Sequence, residues 1–332
     1  MLIATLALFA GLAILTKGAD WLVDGASSLA RRWGISELAI GLTIVAFGTS
    51  IPELTVNLFS AFEGATEIAI GNIVGSNIAN ILLILGITAI IAPLKVQSST
   101  VWKEIPFSLL AALLILIMAN DHIVDGYPVA ELSRSDGIAL IAFFIIFLWY
   151  IFGMQGVDAQ ETDEHGKANK SVPVSLGFIV LGLAFLVGGG RMAVYGAVEI
   201  ATLLGVSQTL IGLTIVAVGT SLPELVTSVV AARKGKADIA VGNIVGSNIF
   251  NIFWILGISA VILPLPFQPA MNTDLIIVVL STLILFYAAH NGAIHRRFLF
   301  WKQRKGHKLE KIDGMIMLLG YIAYLAFLVW RG

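Results

Sequence analysis

The chain has 332 residues and a formal net charge of −1; 58% of its residues are hydrophobic and only 12% charged. A mean hydropathy of +0.94 at this length leaves no soluble domain of useful size and points to a polytopic membrane protein. The absence of cysteine excludes disulfides and thiolate metal sites, and the scatter of basic residues over short loops makes the lipid bilayer, not nucleic acid, the expected partner.

Apolar runs long enough to span a bilayer start near residues 2, 36, 67, 103, 135, 172, 207, 238, 272 and 313. The first has neither a basic leading segment nor a small-residue cleavage motif, so it reads as a span rather than a signal peptide. Residues 157–171 are polar and mixed in charge. They read as a linker between a first repeat, 1–156, and a second, 172–332. The other polar segment, residues 291–311, is strongly basic, with Phe298 and Trp301 suited to the membrane interface; setting the topology accounts for it as well as a lipid-binding or regulatory role does.

Loops after the first, third, fifth, seventh and ninth runs hold 16 Lys and Arg residues, whereas the opposite side holds Arg134 and Arg331. Since cytoplasmic loops carry the excess, both termini are expected outside the cytoplasm and the linker within it, in a cell (inner) membrane. Five spans per half is an odd number, so the second half enters the membrane in the opposite sense. The expected fold class is an all-α membrane protein of ten transmembrane helices in two inverted five-helix repeats, the arrangement by which secondary transporters place a site at the midplane.

One stretch is written twice. GLTIVAFGTSIPEL and GNIVGSNIANI, within residues 41–81, return 171 residues later as GLTIVAVGTSLPEL and GNIVGSNIFNI, and 28 of 47 positions are identical between residues 36–82 and 207–253. Each copy sets a carboxylate, Glu53 or Glu224, inside a membrane span, where it costs several kcal/mol unless compensated; such a group is functional by default. Pro52 and Pro223 deprive the carbonyls of Gly48 and Gly219 of a helical partner, and broken membrane helices with freed carbonyls occur where they line cavities or bind cations. The spacing places Thr49, Ser50 and Glu53 on one helical face with Ala46 a turn earlier, and Ala217, Thr220, Ser221 and Glu224 likewise. The next run adds Asn72, Ser76 and Asn80 at intervals of four, matched by Asn243, Ser247 and Asn251, while Gly71, Gly75, Gly242 and Gly246 permit close approach. Carboxylate, hydroxyl, amide and backbone oxygens without sulfur suit a hard cation such as Ca²⁺ or Na⁺. The five histidines fall outside these runs, leaving imidazole ligation at the midplane without a candidate.

The paired GTS-x-PE and GN-IVGSN-x-xNI motifs resemble the cation/calcium exchanger superfamily, specifically its sodium/calcium exchanger-like bacterial and archaeal members, over nearly the whole chain. The resemblance implies a transporter rather than an enzyme: an antiporter of Ca²⁺ against Na⁺, these being transported ions, with no organic cofactor. Carried over by position, it makes Glu53 and Glu224 the calcium carboxylates, assisted by Thr49 and Thr220. It adds Ala46, Ser50, Ser76, Asn80, Ala217, Ser221, Ser247 and Asn251 as sodium ligands. The chain departs from some archaeal relatives and from the potassium-dependent branch, which carry aspartate where Asn251 stands here, so two carboxylates remain rather than three. Coupling to H⁺ is the alternative to Na⁺, although the acidic motif usual in the proton-coupled branch is not seen.

Other charged residues in the spans read as interfacial. Lys17, Asp20 and Asp24 lie near a helix end at pairing distance, and Arg191 and Glu199 have no repeat partner of like chemistry. The Gly188-Gly189-Gly190 run is expected to loosen the sixth helix.

Overall fold

A computed structural model describes residues 1–62, 66–124, 126, 130–153, 170–205, 217–290 and 306–331 of the chain. Hydrocarbon offers backbone groups no hydrogen-bond partners, so apolar runs of this length resolve as helices that satisfy their own N–H and C=O groups. These are α1 (Leu2–Trp33), α2 (Glu37–Thr49), α3 (Ile51–Phe62), α4 (Ile68–Ile91), α5 (Thr100–Met118), α6 (Arg134–Gly153), α7 (Val172–Leu203), α8 (Leu222–Arg233), α9 (Ala237–Ile262), α10 (Pro269–Ala289) and α11 (Lys311–Arg331). Helix starts agree with the apolar runs to within three residues where both are described. The expected start of the seventh span at 207, the linker and most of the basic 291–311 segment lie outside the described residues. Among the described residues, eight helices are each long and apolar enough to cross a membrane, and α2 with α3 forms a ninth, bent by 46°. The exchange of one residue type recurs at the helix ends: Gly34 and Gly205, 171 positions apart, both take positive φ (66° and 77°) after long helices, where glycine carries no Cβ penalty.

The chain packs as two compact units. The first contains Met1–Glu53 and Leu148–Asn243, the second Leu54–Phe147 and Ile244–Gly332. The first unit is organised by α1 and α7. Gly11, Gly18 and Gly25 on α1 face Gly189, Gly182 and Ser175 on α7 in antiparallel order, with Gly196 against Ala4 beyond them. A Cβ added to Gly18 would lie 2.8 Å from the Gly182 carbonyl oxygen, and one on Gly189 would lie 2.7 Å from the Leu15 amide nitrogen. Without a hydrophobic drive between helices in lipid, such glycine stripes let two backbones touch and gain dispersion contact along their whole length. The Gly188–Gly190 run therefore does not loosen its helix: all three residues are α-helical, and Gly189 is a contact point.

The charged residues of α1 also differ from expectation. Asp20 and Asp24 pair with Lys234, which follows α8, at 3.1 and 2.8 Å, while the Lys17 ammonium lies 5.6 Å from the centre of the Trp21 ring. Glu37 joins Lys236 at 2.5 Å and accepts from Ser27 at 2.6 Å. Arg191 and Glu199 are exposed on α7, as interfacial residues would be.

In the second unit, α11 packs on α4 through Gly86 and Gly314, and α6 meets α9 through Gly137 and Gly257. Phe144 and Phe147 bury an aromatic cluster with Phe107, Phe250 and Trp254. Two short antiparallel pairs fasten the helix ends: β1 (Leu94–Lys95) with β4 (Lys308–Leu309), and β2 (Glu131–Leu132) with β3 (Leu265–Pro266). Asp274, only 5% exposed, is held by Tyr324 Oη at 3.1 Å and Arg331 at 3.0 Å.

Candidate cation site

Both copies of the duplicated element break at the same serine. Ser50 sits between α2 and α3 with φ −83° and ψ 8°, and Ser221 precedes α8 with φ −90° and ψ 8°. This sparsely populated bridge conformation is frequent at functional sites. Pro52 and Pro223 fall in the first turn of the helix that follows, where a missing N–H costs nothing and the fixed φ suits a helix start. At the break Gly48 and Gly219 rest against the side chains of Leu183 and Val194 of α7, which would have to shift to admit a Cβ at either.

The break changes what the hydroxyls reach. On an unbroken helix Ser50 would share a face with Glu53; instead Ser50 Oγ donates to Glu224 Oε1 at 3.2 Å and Ser221 Oγ donates to Glu53 Oε1 at 3.2 Å. Each serine thus serves the glutamate of the other repeat. Both glutamates are 1% exposed, and Glu224 Oε2 is buried without a hydrogen-bond partner among the described residues. A carboxylate oxygen so placed is an acceptor awaiting a cation or a proton.

Thr49 Oγ1 donates to Asn243 Oδ1 at 3.0 Å and lies 3.3 Å from the Ala46 carbonyl oxygen. Asn243 Nδ2 donates to Ser228 Oγ at 3.0 Å and more distantly to the Glu224 carbonyl at 3.5 Å. Thr220 Oγ1 has no partner among the described residues, and Ala217 begins the short helical turn Ala217–Gly219 that leads to it. Glu53, Glu224, Thr49, Ser50, Ala46, Ser221, Thr220 and Ala217 accordingly all belong to the first unit.

Ser76, Asn80, Ser247 and Asn251 belong to the second unit and are all buried. Around them α4 and α9 widen into π-helix at repeat-equivalent places, Ala79–Leu85 and Phe250–Leu256, a distortion concentrated at functional sites. Ser247 Oγ, Asn80 Oδ1 and Asn251 Oδ1 are buried oxygens without partners among the described residues. The spacing of four that selects Asn72, Ser76 and Asn80 overlooks Asn77 and Asn248, which carry the hydrogen bonds. Asn80 Nδ2 donates to Asn248 Oδ1 at 3.0 Å, and Asn251 Nδ2 donates to Asn77 Oδ1 at 2.9 Å. Their identity in both repeats was the available signal.

The family model for sodium/calcium exchanger proteins matches residues 3–153 and 174–330. The chain belongs to this family. The exchanger is 37% identical over 341 residues to the inner membrane protein YrbG of Escherichia coli, covering 99% of this chain and 98% of that one. It is 32% identical over 358 residues to the sodium/calcium exchanger MaX1 of Methanosarcina acetivorans, covering 98% of each. A solved structure of the sodium-calcium exchanger NCX_Mj, soaked with zero Na⁺ and Ca²⁺, matches with a TM-score of 0.80 at 32% identity over 98% of this chain and 99% of that chain. The exchanger is a multi-pass membrane protein with its family's fold of ten helices in two inverted repeats.

Proposed function

We propose that this exchanger carries Ca²⁺ and Na⁺ in opposite directions, each ion competing for the same carboxylates. The observation that supports it is the crosswise pairing of Ser50 with Glu224 and Ser221 with Glu53, at equal distances, in a membrane segment where an acid without function is selected against. Glu224 keeps an oxygen for an ion while the Ser50 hydroxyl holds the other, and with Glu53 a divalent cation meets two charges and a set of neutral oxygens, the coordination that hard cations take. The proposed ligand set is Glu53 and Glu224 with Thr49 and Thr220 for Ca²⁺, joined for Na⁺ by Ala46, Ala217, Ser50, Ser221, Ser76, Ser247, Asn80 and Asn251. Ca²⁺ held by the glutamates must leave before Na⁺ can use them, and a carrier whose inverted halves open to one side at a time converts that competition into coupled flux. Residues 1–156 and 172–332 are the two repeats of this reading, with both termini outside the cytoplasm and the linker inside.

The test is ⁴⁵Ca²⁺ uptake into Na⁺-loaded proteoliposomes at fixed pH. Glu53→Gln and Glu224→Gln, which keep size but remove charge, should each reduce uptake at least about 100-fold, the order expected from removing several kcal/mol of cation attraction. Full activity in either variant would overturn the ligand assignment. Uptake that follows a proton gradient and ignores Na⁺ would assign the coupling to H⁺.

A further inference from the structure

Four amides form a closed pattern in the second unit. Asn77, Asn80, Asn248 and Asn251 are each 1% exposed. Asn77 Nδ2 donates to the Asn248 backbone carbonyl at 3.2 Å, and Asn248 Nδ2 reaches the Asn77 backbone carbonyl at 3.5 Å. The oxygens of the same two side chains receive the amide nitrogens of Asn251 and Asn80, at 2.9 and 3.0 Å. An amide has two donors and one oxygen, so the orientation of each group follows from its partner. If Asn77 were turned over, its NH₂ would confront the NH₂ of Asn251 and would leave the Asn248 carbonyl unserved. With Asn77 and Asn248 fixed on backbone, Asn80 and Asn251 have their nitrogens engaged. Their Oδ1 atoms are left buried and without partners among the described residues.

We propose that Asn77 and Asn248 are positioning residues, holding Asn251 and Asn80 with oxygen rather than nitrogen presented to the transported cation. This rests on the reading that Asn80 and Asn251 are ligands. The two inner amides touch no ion; they prevent the outer amides from rotating to offer NH₂, which would repel one. The same geometry disfavours a carboxylate at either outer position, because an aspartate at 251 or 80 would set oxygen against the oxygen of Asn77 or Asn248.

The test is a pair of double-mutant cycles on purified full-length exchanger in proteoliposomes, reading the half-saturating Ca²⁺ concentration (K0.5) of ⁴⁵Ca²⁺ uptake and the maximal rate. Asn251→Ala should raise K0.5 about tenfold, the equivalent of one ion–dipole contact of about 1.4 kcal/mol. Asn77→Leu, of similar volume, should raise it by a comparable factor, while adding Asn77→Leu to Asn251→Ala should change it by less than about twofold, because a residue that acts only through its partner has no effect once the partner is gone. Asn248→Leu with Asn80→Ala should behave identically and serves as a second, independent cycle if one variant fails to fold. Additive shifts, or a K0.5 unmoved by both Asn77→Leu and Asn248→Leu while the outer alanine variants weaken binding, would overturn the positioning role alone. Silent Asn251→Ala and Asn80→Ala would overturn it together with the ligand reading of these amides.

Discussion

Asn243 and Asn72 occupy the same place in the two repeats, yet their surroundings differ. Asn243 is fully buried and saturated: it accepts from Thr49 and donates to Ser228, whose own hydroxyl lies 3.5 Å from the Ala240 carbonyl. Asn72 is half-buried, its Nδ2 has no partner among the described residues, and Asn57, which stands where Ser228 stands, is 0% exposed with both amide atoms unpartnered. Gly75 beside it faces open space. Near-identical motifs thus hold two different polar states, one closed upon itself and one with its groups available. That is what an inverted-repeat carrier requires, because its halves exchange conformations in turn rather than sharing one at any instant.

The contrast can be broken experimentally. Asn243→Leu should have the largest effect on stability, about 2–3 kcal/mol, since it removes the partners of Thr49 and Ser228 inside a dry core; thermal unfolding in detergent would show a drop of several degrees. Asn57→Leu should go the other way: a buried amide without partners is a burden of about 1–3 kcal/mol, so replacing it should raise the unfolding temperature. A lowered temperature would mean that Asn57 is engaged in the folded protein and would remove the contrast. Asn72→Leu, which forfeits no hydrogen bond of its nitrogen, should shift stability by less than about 1 kcal/mol. Smallest of all, Lys234→Ala breaks the half-exposed pairs with Asp20 and Asp24 and should cost about 0.5–1 kcal/mol, with a salt dependence that marks it as electrostatic.

Much of the molecule was legible before any coordinates. Hydrocarbon imposes a length and a composition on every span, so helix positions followed from apolar runs; the doubled motif marked Glu53 and Glu224 because an intramembrane acid is too costly to be repeated idly. What escaped was everything that depends on which atoms meet. Pro52 and Pro223 announced broken helices, but that Ser50 would serve Glu224 and Ser221 would serve Glu53 depended on where each break falls. Asn77 lay off the face drawn from Asn72, Ser76 and Asn80 at spacings of four, and its partners, Asn248 and Asn251, belong to the other repeat. The Gly188–Gly190 run suggested looseness in sequence, yet Gly189 proved to lie with Gly182 on the contact line of α1 and α7.

The sequence by itself therefore determined the class of protein, the two inverted halves and the repeated acids and oxygens from which a hard-cation site is proposed, because composition, period and internal repetition are properties of the chain alone. Tertiary structure decided the pairing of serines with glutamates, the orientation of the four amides and the inequality of Asn72 and Asn243. Hydrogen bonds are directional and short, and which donor reaches which oxygen is settled by tenths of an ångström that only packing supplies.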